Sequence, residues 1–239
     1  MDREPRIRFG EADFGSHPEA FPLNASFQKD LPILKLRVDV DWEPKAPAAA
    51  LALLEAGLLE VCPGLRRHQC RGDASYHVLR PPDGKPGRGG AAIEAPLALA
   101  HLLEHVVIDA IAFITDEPLI SGATAALSRS FHEFDLFVES PDPLIARLTA
   151  ELARSWITEI ARGAGLDGAH RLALDLCRRL YRAHPGPVEI DVAARPAGRD
   201  AGELRQALDW IERHGLVRRV RYGVNLSGRA YYELIPAAG

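Results

Sequence analysis

Cysteine is scarce in this chain: three in 239 residues, Cys62, Cys70 and Cys177. Their odd number and irregular spacing argue against a disulfide framework and for a reducing, cytoplasmic setting. No Cys-x-x-Cys pair occurs, which speaks against a structural zinc knuckle. The N-terminal stretch MDREPRIRFGEADFG is charged and lacks the apolar centre of a signal peptide. No run is both long and uncharged enough to span a bilayer, since Glu104 and Asp109 interrupt the best candidate, so no membrane association is expected. There is no Gly-x-Ser-x-Gly elbow, and Ser128 and Ser130 have no adjacent base, which leaves serine-hydrolase chemistry unsupported. The glycine-rich stretches lack the Lys-Ser/Thr of a phosphate-binding loop, so no nucleotide site is expected.

What is present is a globular composition, 47% hydrophobic and 26% charged residues, with enough chain for one large domain or two ordinary ones. Charge is divided unevenly. From Leu166 onward 12 Arg and no Lys stand against 9 acidic residues, a net +3, while the remainder carries −7. Such asymmetry points to two domains with different partners.

Residues 1–32 mix Gly, Pro, Asn and Ser without a clear period and are expected to be loose or peripheral. Ile33–Asp41 alternates, with Leu34, Leu36, Val38 and Val40 on one face of a half-buried strand. Pro47 opens a helix over Ala48–Val61 with a core stripe of Leu51, Leu54, Leu58 and Leu59, ended by Cys62-Pro63-Gly64. Leu65–Leu79 leads into a strand around SYHVL, and Arg80–Gly90 is an exposed breaker-rich loop. Ser121–Arg129 reads as a small-residue connection and Phe131–Glu139 as a second strand. Pro141 starts a helix through Ile160 that turns Leu144, Ile145, Leu148, Leu152, Ile157 and Ile160 inward. ARGAGLDGAH then reads as a linker, dividing the chain into domains at 1–163 and 167–239.

Ala95–Thr115 is apolar nearly all round, the mark of a helix buried inside a domain. Into it are set His101, Glu104 and His105. Residues four apart lie one turn apart on one helix face, so both imidazoles reach the same point, and Glu104 points to nearly the same side. Ionisable groups on a buried face are costly unless paired, and a divalent metal pairs them. The spacing His-x-x-Glu-His is the inverzincin order, in which two imidazoles and a third ligand from elsewhere hold Zn²⁺, water fills the open position and the Glu moves its proton. With 9 His and 17 Glu, chance supplies about 0.02 such matches in a chain of this length. The bland alternative is a pair of core histidines hydrogen-bonded to neighbours. His132 is a further candidate ligand, although on a strand it and Glu133 face opposite ways. For His68 and Cys70 a loop or packing role is preferred to a zinc-binding one.

The last stretch changes character. A helix at Arg171–Ala183 precedes Val188–Ala194, a strand or helical turn. Asp200 caps a helix over Ala201–His214 that ends at Gly215. Leu216–Ile235 reads as a hairpin turning at Asn225–Gly228. Helices followed by a basic hairpin resemble a winged helix-turn-helix domain. That resemblance places Arg205 and Arg213 on the recognition helix, and Arg218, Arg219, Arg221 and Arg229 on the wing, facing phosphates. Glu203, Asp209 and Glu212 lie among them, and a net charge of only +3 keeps protein docking open beside DNA binding.

Four segments in order carry a second resemblance: PGL..H.C at Pro63–Cys70, LAHLLEHVVIDA at Leu99–Ala110, SGAT at Ser121–Thr124 and FDLFVES at Phe134–Ser140. Over roughly residues 50–160 the chain resembles the N-terminal domain of cyanophycin synthetases. The resemblance implies a domain that binds a peptide-like polymer and, in some members, cleaves it by metal-dependent hydrolysis. It carries His101 and His105 over as metal ligands, Glu104 as general base, and Glu139, at the family's Val-Glu position, as third ligand. Strand parity puts Glu133, Asp135 and Glu139 on one face, where a carboxylate would meet the helix. Asp109 stands where the family prefers Glu, the Arg80–Gly90 loop is this chain's own, and the length leaves no room for the two ligase domains. The sequence therefore leads to an α+β metallohydrolase-like domain followed by a winged helix. The function expected is zinc-dependent hydrolysis of peptide or isopeptide bonds, with the winged helix recruiting a partner or substrate. The competing readings are a DNA-binding transcriptional regulator with a non-catalytic ligand- or metal-sensing domain, and an inactive peptide-binding adaptor.

Overall fold

The structure, a computed structural model, describes residues 4–44, 47–67, 95–127, 132–166, 168–186, 188–191, 201–213, 217–220 and 229–234. In chain order the elements are β1 (Arg6–Gly15), β2 (Ile33–Asp41), α1 (Pro47–Leu59), α2 (Ala95–Thr115), β3 (Gly122–Ala126) and β4 (Glu133–Glu139). They continue as α3 (Pro143–Ala161), α4 (Gly168–Ala183), β5 (Val188–Asp191), α5 (Ala201–Arg213), β6 (Val217–Val220) and β7 (Arg229–Leu234). The architecture is mixed α and β with antiparallel sheets.

One sheet has the order β1-β2-β4-β3. The alternation in β2 works as its pattern demands: Leu34, Leu36, Val38 and Val40 are buried with Phe134, Leu136 and Val138 of β4 in the main core. That face meets α2, whose sequence leaves almost no polar side, and fifteen of its 21 residues are buried. Its length and composition alone would suit a membrane span, but 78% of its most apolar window is buried in the fold, so packing explains it. Each large apolar side chain fully buried there contributes about 1.5–3 kcal/mol. The helix ends at Asp116, which takes a left-handed conformation with φ of 62°. The Arg182 guanidinium, and then Arg178, hold the Asp116 carboxyl below its ordinary range. Asp142 caps α3 by accepting from the Leu144 and Ile145 amides at 2.8 and 3.0 Å, so this helix starts two residues after the expected Pro141. The opposite sheet face carries a small second cluster of Ala20, Phe27, Ile33 and Phe137, and the Arg37–Asp135 ion pair at 2.6 Å.

Residues 6–15 are not loose but form β1, paired with β2 from Arg6↔Asp41 to Gly15↔Ile33. A register shift between Phe9 and Ala12 breaks the alternation, and Ile7 alone is fully buried, which erases the period-two signal. The small-residue connection after Ser121 is β3, an edge strand made by pairing with β4 in spite of its poor strand propensity.

Residues 164–166 join helices of one continuous core. Ala169, Leu172, Ala173, Leu176 and Leu180 of α4 belong to the same apolar cluster as α2 and α3. Trp156 of α3 stacks on Trp210 of α5, with ring centroids 6.1 Å apart and planes 10° apart. His170 Nε2 lies 2.7 Å from Glu159 Oε2, and this bond is the main cause holding the Glu159 carboxyl below its ordinary value. Beyond α4 a second sheet has the order β5-β7-β6, all antiparallel, so Val188–Asp191 is a strand and not a helical turn. Cys62 and Cys177 are buried thiols, and burial pushes the Cys177 thiol up to about 12. His68, Cys70, His77, the 80–90 loop, Ser128, Ser130, Gly215, Arg221 and the turn at 225–228 lie outside the described residues.

Candidate metal centre

Helix α2 delivers His101 and His105 one turn apart, and their Nε2 atoms stand 3.0 Å from each other. The rings are tilted by 57° with centroids 4.4 Å apart, so two ring nitrogens converge on one region of space. Glu104 Oε2 lies 3.5 Å from His101 Nδ1. The same carboxylate oxygen accepts a hydrogen bond from the Thr124 hydroxyl of β3. One ligand atom from each of His101, Glu104 and His105 falls within 4.8 Å of the others. Glu104 and His105 are each only 3% exposed, whereas His101 opens partly to solvent.

Two imidazoles and a carboxylate together could hold a divalent ion. Two imidazole nitrogens on one tetrahedral zinc, each at about 2.0–2.1 Å, stand about 3.3 Å apart. The observed 3.0 Å needs only a small adjustment of either ring. At 3.0 Å the same two nitrogens can instead share a proton, so the geometry serves the core-histidine reading as well.

The group opens on a cleft of about 1610 Å³ whose walls include His101, Glu104, His105, Asp109, Thr124 and Arg178. Gly122 is required where β3 passes under α2. A Cβ there would stand 2.7 Å from Glu104 Oε1 and 2.7 Å from Ile108 Cδ1. Asp109 lines the cleft one turn beyond His105 but is turned toward the Pro63–Arg67 turn, where a Cβ on Gly64 would lie 1.8 Å from its Oδ1. The buried Cys62 thiol is pushed well up, first by burial and then by the Asp109 charge beside it.

Glu139 is not brought to this group. Phe134, Leu136 and Val138 take the sheet face against α2, so the odd-numbered residues of β4 face away, Phe137 among them in the second cluster. Glu139 is fully buried there; Oε1 accepts from the Gln28 amide and Oε2 from the Ser121 amide at 2.8 Å. Glu133, Asp135 and Glu139 do share one face of β4, but it is the face turned away from α2. His132 Nδ1 lies 3.1 Å from the Val40 carbonyl oxygen, outside the group. Arg205 and Arg213 are exposed on α5, sharing a shallow surface with Asp209 and Glu212. Arg218 and Arg219 lie on β6 and Arg229 on β7.

Thr124 is the residue whose part at the centre spacing within α2 does not show. Its only trace is the small-residue context of SGAT, which makes room for a helix to lie close. No protein-family model matches the chain, and no curated protein matches it either.

Proposed function

We propose that the chain is a zinc-dependent hydrolase of peptide or isopeptide amide bonds. The observation that carries this reading is the convergence of His101 Nε2 and His105 Nε2 beside a buried carboxylate on the wall of an open cleft. In this proposal His101 and His105 hold the ion. A zinc ion bound there supplies polarisation of an amide carbonyl and acidifies water. Glu104 handles the proton: it takes one from water and passes it to the departing amine. Thr124 holds the Glu104 carboxylate against β3, which limits the angles from which it acts. Among the described residues the group contains no third protein ligand apart from Glu104 itself.

The order α4, β5, α5 and then the β6–β7 hairpin, with its β5-β7-β6 sheet, supports reading the C-terminal part as a winged helix. Its proposed role is recruitment of a protein partner or substrate. Asp209 and Glu212 beside Arg205 and Arg213 balance the charge of α5, which favours a protein over DNA. The test is cleavage of unfolded casein by the full chain. Hydrolysis should stop with a chelator, return with zinc, and be absent in Glu104→Gln. Chelator-resistant cleavage, or an active Glu104→Gln protein, would refute the mechanism.

A further inference from the structure

Among the described residues β3 is an edge strand whose ladder runs to β4 alone. The Glu139 amide donates to the Ser121 carbonyl and the Leu127 amide to the Glu133 carbonyl, both at 2.9 Å. In an antiparallel ladder this fixes the alternation: residues 123 and 125 turn their main-chain groups to β4, and residues 122, 124 and 126 turn theirs outward. The outward Gly122 carbonyl already accepts from the Asn24 side-chain amide at 2.9 Å, so this edge takes amide donors. Among the described residues nothing bonds the outward N–H and C=O of Thr124 and Ala126. Both residues line the cleft that holds His101, Glu104 and His105. Two of the large apolar side chains exposed among the described residues, Leu23 and Leu119, line the same cleft, and a third, Leu127, directly follows the strand.

We infer that the open edge of β3 binds an extended peptide main chain as a fifth strand and lays it along the candidate metal centre. Alternate main-chain groups of the peptide pair with Thr124 and Ala126, about 4.8 Å from β3, and Leu23 and Leu119 on the cleft wall give its side chains apolar contacts. Recognition is then of backbone more than of sequence, because the strand contributes only small side chains. The inference rests on the hydrolase reading for what happens to the bound chain, though not for the binding itself.

The test is amide hydrogen exchange, followed by NMR on the full chain in chelator, with a pool of capped hexapeptides of randomised sequence as the probe. Without peptide, the Thr124 and Ala126 amides should exchange faster than those of Ala123 and Ala125. Peptide should slow Thr124 and Ala126 by about fivefold or more and leave Ala123 and Ala125 unchanged. Ala126→Pro, which removes an outward donor and no ladder bond, should weaken binding of the pool about 3–10-fold. The inference is overturned if Thr124 and Ala126 are already as slow as their neighbours, which would mean another segment of the chain covers the edge. Failure of the pool to protect them overturns it equally. Protection in chelator without cleavage after zinc is restored would uphold the edge and refute the hydrolase. Zinc-dependent cleavage without protection would do the reverse.

Discussion

Glu139 offers the sharpest separation of a structural carboxylate from a ligating one. It is fully buried and holds two main-chain donors, the amides of Gln28 and Ser121, which tie the N-terminal segment and the entry to β3 onto the end of β4. A hydrogen bond to a charged acceptor contributes about 1.5–3 kcal/mol, and each donor stripped of it in a partly buried place loses most of that. With some relaxation toward solvent, Glu139→Ala should therefore cost about 3 kcal/mol in all. For a chain of this size that is a fall of about 6–12 °C in Tm. The assay is calorimetry of wild type and variant side by side, with zinc content measured on the same samples. Stability should drop while metal content is unchanged. Loss of zinc with Tm intact would show that the carboxylate serves the metal and that its position in the sheet is misassigned.

Two further perturbations probe the frame around the centre. Gly122→Ala places a Cβ 2.7 Å from Glu104 Oε1, and because Thr124 holds that carboxylate it cannot swing away freely. The variant should lose about 1–3 kcal/mol in chemical unfolding and lose hydrolytic rate more than metal; an unchanged unfolding midpoint would contradict this packing. Glu159 has a folded-state pKa below its ordinary 4.5, chiefly through His170. The folded protein therefore binds fewer protons here, so this contribution is full above the ordinary carboxylate range and is lost as pH falls through the lower folded value. Urea unfolding at pH 7 and pH 3 should show a smaller stability difference in Glu159→Gln than in wild type, and equal differences would remove this bond from the acid response.

What the sequence showed, and what it hid, follows from where each signal resides. β2 and β4 were legible because their alternation is imposed by one buried face, and α3 because its inner side chains repeat with helical period. β1 and β3 were not, since one carries a register shift and the other is a Gly-Ala-Thr-Ala-Ala run whose extended form comes from its partner. The three residues of the candidate centre were legible because all lie on one helix, where spacing alone fixes geometry. The place of Glu139 is set by its neighbours on β4. Phe134, Leu136 and Val138 are the apolar face that must meet an apolar helix, which leaves the acidic residues between them on the other side. Thr124 could not be found by period at all, because its contact with Glu104 joins two elements twenty residues apart.

The central claim is that α2 carries a metal site made by its two histidines, and zinc analysis of the purified full chain addresses it most directly. Wild type offered zinc and then desalted should retain about one ion per chain. His101→Ala and His105→Ala should each lose it, while Glu104→Gln and Glu139→Ala keep it. A wild-type protein that retains none, or a His101→Ala protein that retains as much as wild type, would leave the two rings as hydrogen-bonded core histidines and remove the hydrolase with them.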